Sequence, residues 1–215
     1  MPNYRGAQRL GPGSPGRNRA GQTGGLVTQD AHARFQEAVL QGNVWIGSNA
    51  SGTPVTTQAG VSATTPALVL YNPINSPVNL VLWEFGCVFT AAPAAAAAVM
   101  LAYNMPSKTG APLAPITTTL ASITNAMIGW NTQAVNLSNG GWGQCYAIST
   151  LSAAPVAFRY CFGTTGAAAI SGMTGIDHID GAVIVPPGVA ISVQASSAAA
   201  VLCHFMWEEL LIIPG

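Results

Sequence analysis

From Val44 onward the chain alternates short runs rich in Val, Ile, Leu and Phe with turn signals such as Tyr71-Asn72-Pro73, Asn139-Gly140-Gly141, Asp180-Gly181 and Val185-Pro186-Pro187-Gly188. Runs of that length and composition read as strands, and turn residues placed that often leave no room for helices between them. The predicted strands are 44–47, 55–57, 67–71, 78–90, 99–103, 116–123, 144–150, 156–162, 182–185, 189–194 and 200–213. Strands without intervening helices pair with one another, so the pattern defines an all-β domain, an antiparallel sandwich or barrel. One helix is predicted ahead of it. Residues 28–42 place Thr28 at an N-cap, Asp30 in the first turn, Phe35 and Val39 on one face and Gly42 at the stop.

Two of the strand runs, 78–90 and 200–213, are apolar almost throughout, and each carries a Trp-Glu step, Trp83-Glu84 and Trp207-Glu208. Strands buried on both faces read this way. In a small sandwich the second face needs a neighbouring subunit to cover it, so these four residues are expected near an oligomer contact. The run 156–162 alternates instead, with Val156, Phe158, Tyr160 and Phe162 on one face and Ala157, Arg159 and Cys161 on the other. One face is expected in the core, and Arg159 is expected to meet a polar partner, a further contact candidate.

Charge sharpens the argument. Lys and Arg number 7, Asp and Glu number 7, and charged residues are 7% of the 215 positions, against about 25% in ordinary soluble domains. A neutral, charge-poor surface tends to associate, so much of it is expected to be covered by other chains. The same balance excludes an acidic disordered chain or a basic nucleic-acid module as a description of the whole. A membrane is not expected either. The charge-free window 85–107 contains Thr90, Pro93, Asn104 and Pro106 and is dominated by alanine, which drives insertion poorly. No apolar stretch before a cleavage site marks a signal peptide.

The charge that exists is concentrated at the start. Residues 1–25 hold seven Gly, three Pro and Arg5, Arg9, Arg17 and Arg19, with no acidic residue. Such a segment cannot bury enough surface to fold alone, so residues 1–27 read as an extended docking arm and 28–215 as the sandwich domain with its leading helix. The guanidinium forks suit carboxylates on a protein surface. Nucleic acid is the weaker partner for them, because the residues between are Gly and Pro and supply no stacking platform.

Chemistry-bearing motifs fail their contextual tests. Residues 11–16, GPGSPG, satisfy the spacing of a dinucleotide-binding loop, but no strand precedes them and two prolines remove amide donors. Asp177-His178-Ile179-Asp180 offers three ligand types in four residues, yet it lies at an Asp-Gly turn and no second cluster completes a coordination shell. Cys203 and His204 are adjacent on a strand, as are Glu208 and Glu209, so each pair points to opposite faces. Cys87, Cys145, Cys161 and Cys203 lack C-x-x-C spacing and are expected as reduced thiols. No catalytic, cofactor or metal residues are assigned, and an enzyme is not expected. Trp130 and Trp142 bracket a Gly/Asn/Gln-rich loop suited either to anchoring an interface or to recognition.

The runs DAHARFQEAVLQGNVW from Asp30, TTQAGVSATTPALVLYNP from Thr56, NLVLWEFG from Asn79, and DGAVIVPPGVAIS with FMWEEL near the close resemble small structural proteins of tailed bacteriophages, the group containing capsid decoration or cement proteins. The resemblance covers residues 28–213. It implies a jelly-roll fold, a homotrimer, the major capsid protein as partner, a place on the outer surface of the virion, and no catalytic residues. The alternative reading is a tail, neck or fibre-head protein using the 130–142 loop for host recognition. A third is a small enzyme or lectin domain of similar sandwich fold.

Overall fold

A computed structural model of the protein describes residues 19–20, 26–27, 36–49, 52–93, 95–104, 117–127, 141–164 and 174–212. The chain divides into two compact units, Met1–Glu37 and Ala38–Gly215. In the first, β1 (Arg19–Ala20) and β2 (Leu26–Val27) pair antiparallel, with Arg19 opposite Val27. Arg5, Arg9 and Arg17 lie outside the described residues, as does the 28–35 part of the predicted helix. The helical residues described are α1, Gln36–Leu40. Its stop is the expected one: Gly42 adopts φ +76°, and Gly42 and Asn43 donate back to the Val39 and Ala38 carbonyls, a left-handed cap that only glycine adopts without strain.

The second unit contains two antiparallel sheets. The first runs β11 (Val156–Thr164), β7 (Ala97–Asn104), β13 (Ala190–Ala195), β5 (Val69–Tyr71), β10 (Gln144–Thr150), β8 (Thr117–Leu120). The second runs β12 (Thr174–Val185), β6 (Val78–Phe89), β14 (Ala200–Leu211), β3 (Val44–Ser48), β9 (Ser122–Asn125), with β4 (Val55–Thr56) on the end of β14. The fold is an all-β antiparallel sandwich. Its core lies between the sheets, where Leu70, Leu101 and Val193 of the first meet Leu82, Phe85, Phe205 and Trp207 of the second. Each such side chain contributes about 1.5–3 kcal/mol on burial.

Four expectations are corrected. First, Trp83 and Trp207 of the Trp-Glu steps are buried within the chain, whereas the second face of β6 and β14, the one expected to need a neighbouring subunit, is left open by the single chain. Val81, Glu84 and Val88 on β6 and Leu202, His204, Met206 and Glu208 on β14 face outward, half-exposed, while their neighbours point into the core. Among the strands whose burial is described, β5 and β13 have every residue buried. Their second face is covered by the chain itself: Val69, Tyr71 and Ala190 pack with Tyr146, Leu151 and Ala63, and the Leu151 amide donates to the Ala63 carbonyl. Trp207, fully enclosed in the core, therefore does not reach a surface where a second subunit could touch it.

Second, the alternating face of β11 is inverted over its first half. Val156 is 56% and Tyr160 73% exposed, whereas Cys161 and Phe162 pack on the core. Register shifts between Ala157 and Arg159 and between Tyr160 and Phe162 change which residues face inward. Third, residues 174–181, not predicted as strand, form the first two thirds of β12. Asp177 is thus a strand residue, not a turn former. Fourth, the predicted strand 116–123 is two strands, β8 in one sheet and β9 in the other. The chain crosses at buried Ala121, whose amide donates to the Cys145 carbonyl.

A bulge positions the outward residues. Trp83 is an extra residue on β6, because Glu84 pairs Met206 while Leu82 pairs Trp207. Leu80 and Leu82 face the core before it, Phe85, Cys87 and Phe89 after it. The extra residue is what turns Glu84 outward. On the other side of β6, β12 spends Ile179–Ala182 against that same position, with Asp180 at φ +56°, Gly181 at φ +81° and Ile179 pressed into the core.

Candidate functional site

The register of the second sheet lines up its outward residues across the strands. His178, Glu84, Met206 and Ile46 form one row across β12, β6, β14 and β3. The next row is Ile176, Gly86, His204 and Ser48, and beyond it Thr174, Val88 and Leu202 follow. On the far side of the bulge stand Ile184, Val81 and Glu208. The face is largely apolar, with a polar spot at Glu84 and a second carboxylate, Glu208, beyond the bulge. A shallow groove of about 340 Å3 runs over Gly86, Val88 and Leu202, bordered by Ser48, Asn49, Thr174, Ile176 and His204.

At the polar spot the Glu84 carboxylate takes one histidine on each oxygen. His178 Nδ1 lies 3.2 Å from Oε2 and His204 Nε2 lies 3.2 Å from Oε1. Glycine at 86 makes this possible, because a Cβ there would occupy the His204 ring. The imidazole thus lies over bare backbone and reaches diagonally to Glu84.

At the edge of the sandwich, Arg159 of β11 and Asp177 of β12 join the two sheets. The guanidinium donates Nε to Oδ2 at 2.6 Å and an Nη to Oδ1 at 2.8 Å, a two-bond fork. Arg159 holds the Asp177 carboxyl below the usual carboxylate range, and the Cys161 thiol also donates to it. Burial, reinforced by the Asp177 charge, pushes Cys161 up to about 12. The polar partner expected for Arg159 is therefore found within its own chain.

Glu209, not its neighbour Glu208, organises the end of the 130–142 loop. Its buried carboxylate accepts the amides of Trp142 at 2.9 Å and Gly143 at 2.8 Å, and the Trp207 indole N–H at 3.4 Å. Burial raises its pKa, although these donors oppose the rise. Partial burial also raises that of Glu208. Trp142 is left 43% exposed, while Trp130 lies outside the described residues. Of the predicted contact residues, Glu84 and Glu208 share the open face, Trp83 is buried at the bulge, Arg159 is at the edge and Trp207 is in the core. His178, His204, Gly86, Asp177 and Glu209 carry the geometry, and the first two are invisible as a pair until β12 and β14 are known to flank β6.

Among the described residues no group of three or more His, Cys, Asp and Glu side chains is placed to hold a metal ion, and no helix is long and apolar enough to cross a membrane. The structure defines a small antiparallel β-sandwich whose second sheet leaves a largely apolar face open. Comparison with protein-family models, with curated proteins and with solved structures finds no match.

Proposed function

We propose that this chain is a structural protein of a tailed-phage virion, a head cement or decoration protein that associates as a trimer and binds the major capsid lattice from outside. The observation that carries the reading is the open face of the second sheet, where Val81, Val88, Ile176, Leu202 and Met206 stand half-exposed or exposed around the Glu84 cluster, with Glu208 as the further carboxylate. On a chain with 7% charged residues, such a face is suited to permanent cover by protein. Strand order supports the same reading. With β4 and β8–β10 set aside, the strands from β3 onward fall into β3-β14-β6-β12 in one sheet and β5-β13-β7-β11 in the other, and the chain changes sheet at every step except from β7 to β11. We read that order as a double Greek key, the arrangement of the jelly rolls on which viral capsid proteins, lectins and cupins are built.

The test is direct. Light scattering of the full chain and of a variant lacking residues 1–27 should return a trimer in both cases. Purified trimer should co-sediment with undecorated, DNA-free heads. Changing Arg5, Arg9, Arg17 and Arg19 to glutamine should weaken that binding in a salt-sensitive way. A dilute, well-folded monomer would sink the trimer, and heads that bind no protein would sink the capsid role. The exposed Trp142, fixed by Glu209, keeps a tail or fibre position as the second reading. A particle map with density at one vertex rather than over the head would select it.

A further inference from the structure

The four cysteines are reduced in the structure, but two of them are placed differently from the rest. Cys87 of β6 and Cys203 of β14 are direct cross-strand partners in the ladder at the centre of the second sheet. Opposed residues in an antiparallel ladder alternate between hydrogen-bonded pairs and closer pairs without hydrogen bonds. The Thr90 amide donates to the Ala200 carbonyl across this ladder at 2.9 Å. Stepping three residues along each strand makes Cys87 and Cys203 a pair without hydrogen bonds. The backbone of Cys203 agrees, because its N–H and C=O both turn the other way, to the Asn49 side-chain oxygen and the Asn49 amide. Cα atoms at such a position lie about 4.5 Å apart, inside the window a disulfide spans. Both side chains point into the core, each 3% exposed. The remaining two are committed elsewhere. Cys161 donates to Asp177, and Cys145 sits on the other sheet with its sulfur against Gly47.

We propose that Cys87 and Cys203 are a redox pair that closes into a cross-strand disulfide when the chain folds in the presence of a small-molecule disulfide such as oxidised glutathione. One cysteine, as thiolate, attacks a glutathione sulfur, forming a mixed disulfide and releasing one glutathione. The second loses its proton and attacks the protein-bound sulfur, expelling the other glutathione. Two protein thiols are oxidised and one glutathione disulfide is reduced to two thiols. Burial raises the pKa of Cys203, which keeps the thiolate scarce once the sandwich has closed. The state of the pair is therefore set by the solution in which β6 and β14 first meet.

The full chain is refolded from denaturant with oxidised and reduced glutathione, and in parallel with dithiothreitol. A second sample, folded beforehand, is held in the glutathione buffer just below its melting temperature. Each is denatured, alkylated, digested without reduction and read by mass spectrometry. The expected result is one disulfide-linked peptide pair containing Cys87 and Cys203, with Cys145 and Cys161 alkylated, and a higher melting temperature than the dithiothreitol sample. Cys203→Ser should give no intramolecular disulfide. Four alkylated cysteines in both glutathione samples, or a linkage through Cys145 or Cys161, would overturn the proposal.

Discussion

Replacing Glu209 by alanine removes the acceptor of two backbone amides, one of them at buried Gly143, and orphaned buried donors cost about 1–3 kcal/mol each. Urea unfolding should show a loss of that order, with Trp142 fluorescence shifting as the loop end is released. Glu209→Gln keeps an acceptor oxygen and should cost much less. The two forms differ in pH response. Because burial raises the carboxyl pKa in the folded chain, the support of Glu209 is complete below the ordinary glutamate range and is lost as pH rises through the raised value. The native chain should therefore lose stability relative to Glu209→Gln as pH rises above the ordinary glutamate range of about 4. Asp177 has the opposite sign. Its pKa is lowered by Arg159, so its contribution is present above the ordinary aspartate range and is lost as pH falls through the lowered value. Asp177→Asn should flatten that acid limb and cost about 0.5–1 kcal/mol near neutrality, discounted because Arg159 is partly exposed.

Two glycines on neighbouring strands separate a movable contact from a fixed one. A methyl at Gly86 meets the His204 ring, which is the free end of a half-exposed side chain and can swing away. A methyl at Gly175 meets the ring of Phe162, which is stacked 5.8 Å from Phe85 over the core. Gly86→Ala should keep its melting temperature while the His204 imidazole signal loses its Glu84 environment by NMR. Gly175→Ala should destabilise by about 1–3 kcal/mol, the usual cost of overpacking. Sequence alone reveals both sheets' central strands, because Val, Leu and Phe runs such as 78–90 and 200–213 declare themselves by composition. It does not reveal the bulges. Trp83 reads as one more apolar residue, yet it reverses the facing of everything after it. Likewise the Asp177-His178 stretch is polar enough to pass for a turn, although an edge strand with its outward side in water tolerates that composition. The site is legible only through register, since His178, Glu84 and His204 are brought together by three strands far apart in the chain.

At the scale of the molecule, the open face of the second sheet is the surface on which association should depend. Met206→Lys places a charge in the middle of that face, beside Glu84 and Ile46, and a half-exposed outward position accommodates it within one subunit. Sedimentation velocity should then show the mass of a monomer with the melting behaviour of a folded sandwich. Unchanged association would move the contact elsewhere, the β11 edge with exposed Val156 and Tyr160 being next in line.

Short strands held between two layers have another consequence. Residues of β5 and β13 have no exposed side, one being three residues long and the other six, whereas the twelve-residue β12 is an edge. Amide hydrogen exchange reads local opening, and opening at an edge needs few broken contacts. The slowest deuterium uptake should thus fall on Leu70, Ile191 and Val193, and the amides of Gly175 to Asp177 should be labelled earlier despite belonging to a longer strand. Deuterium would therefore enter from the border where Arg159 grips Asp177 and reach last the middle of the opposite sheet.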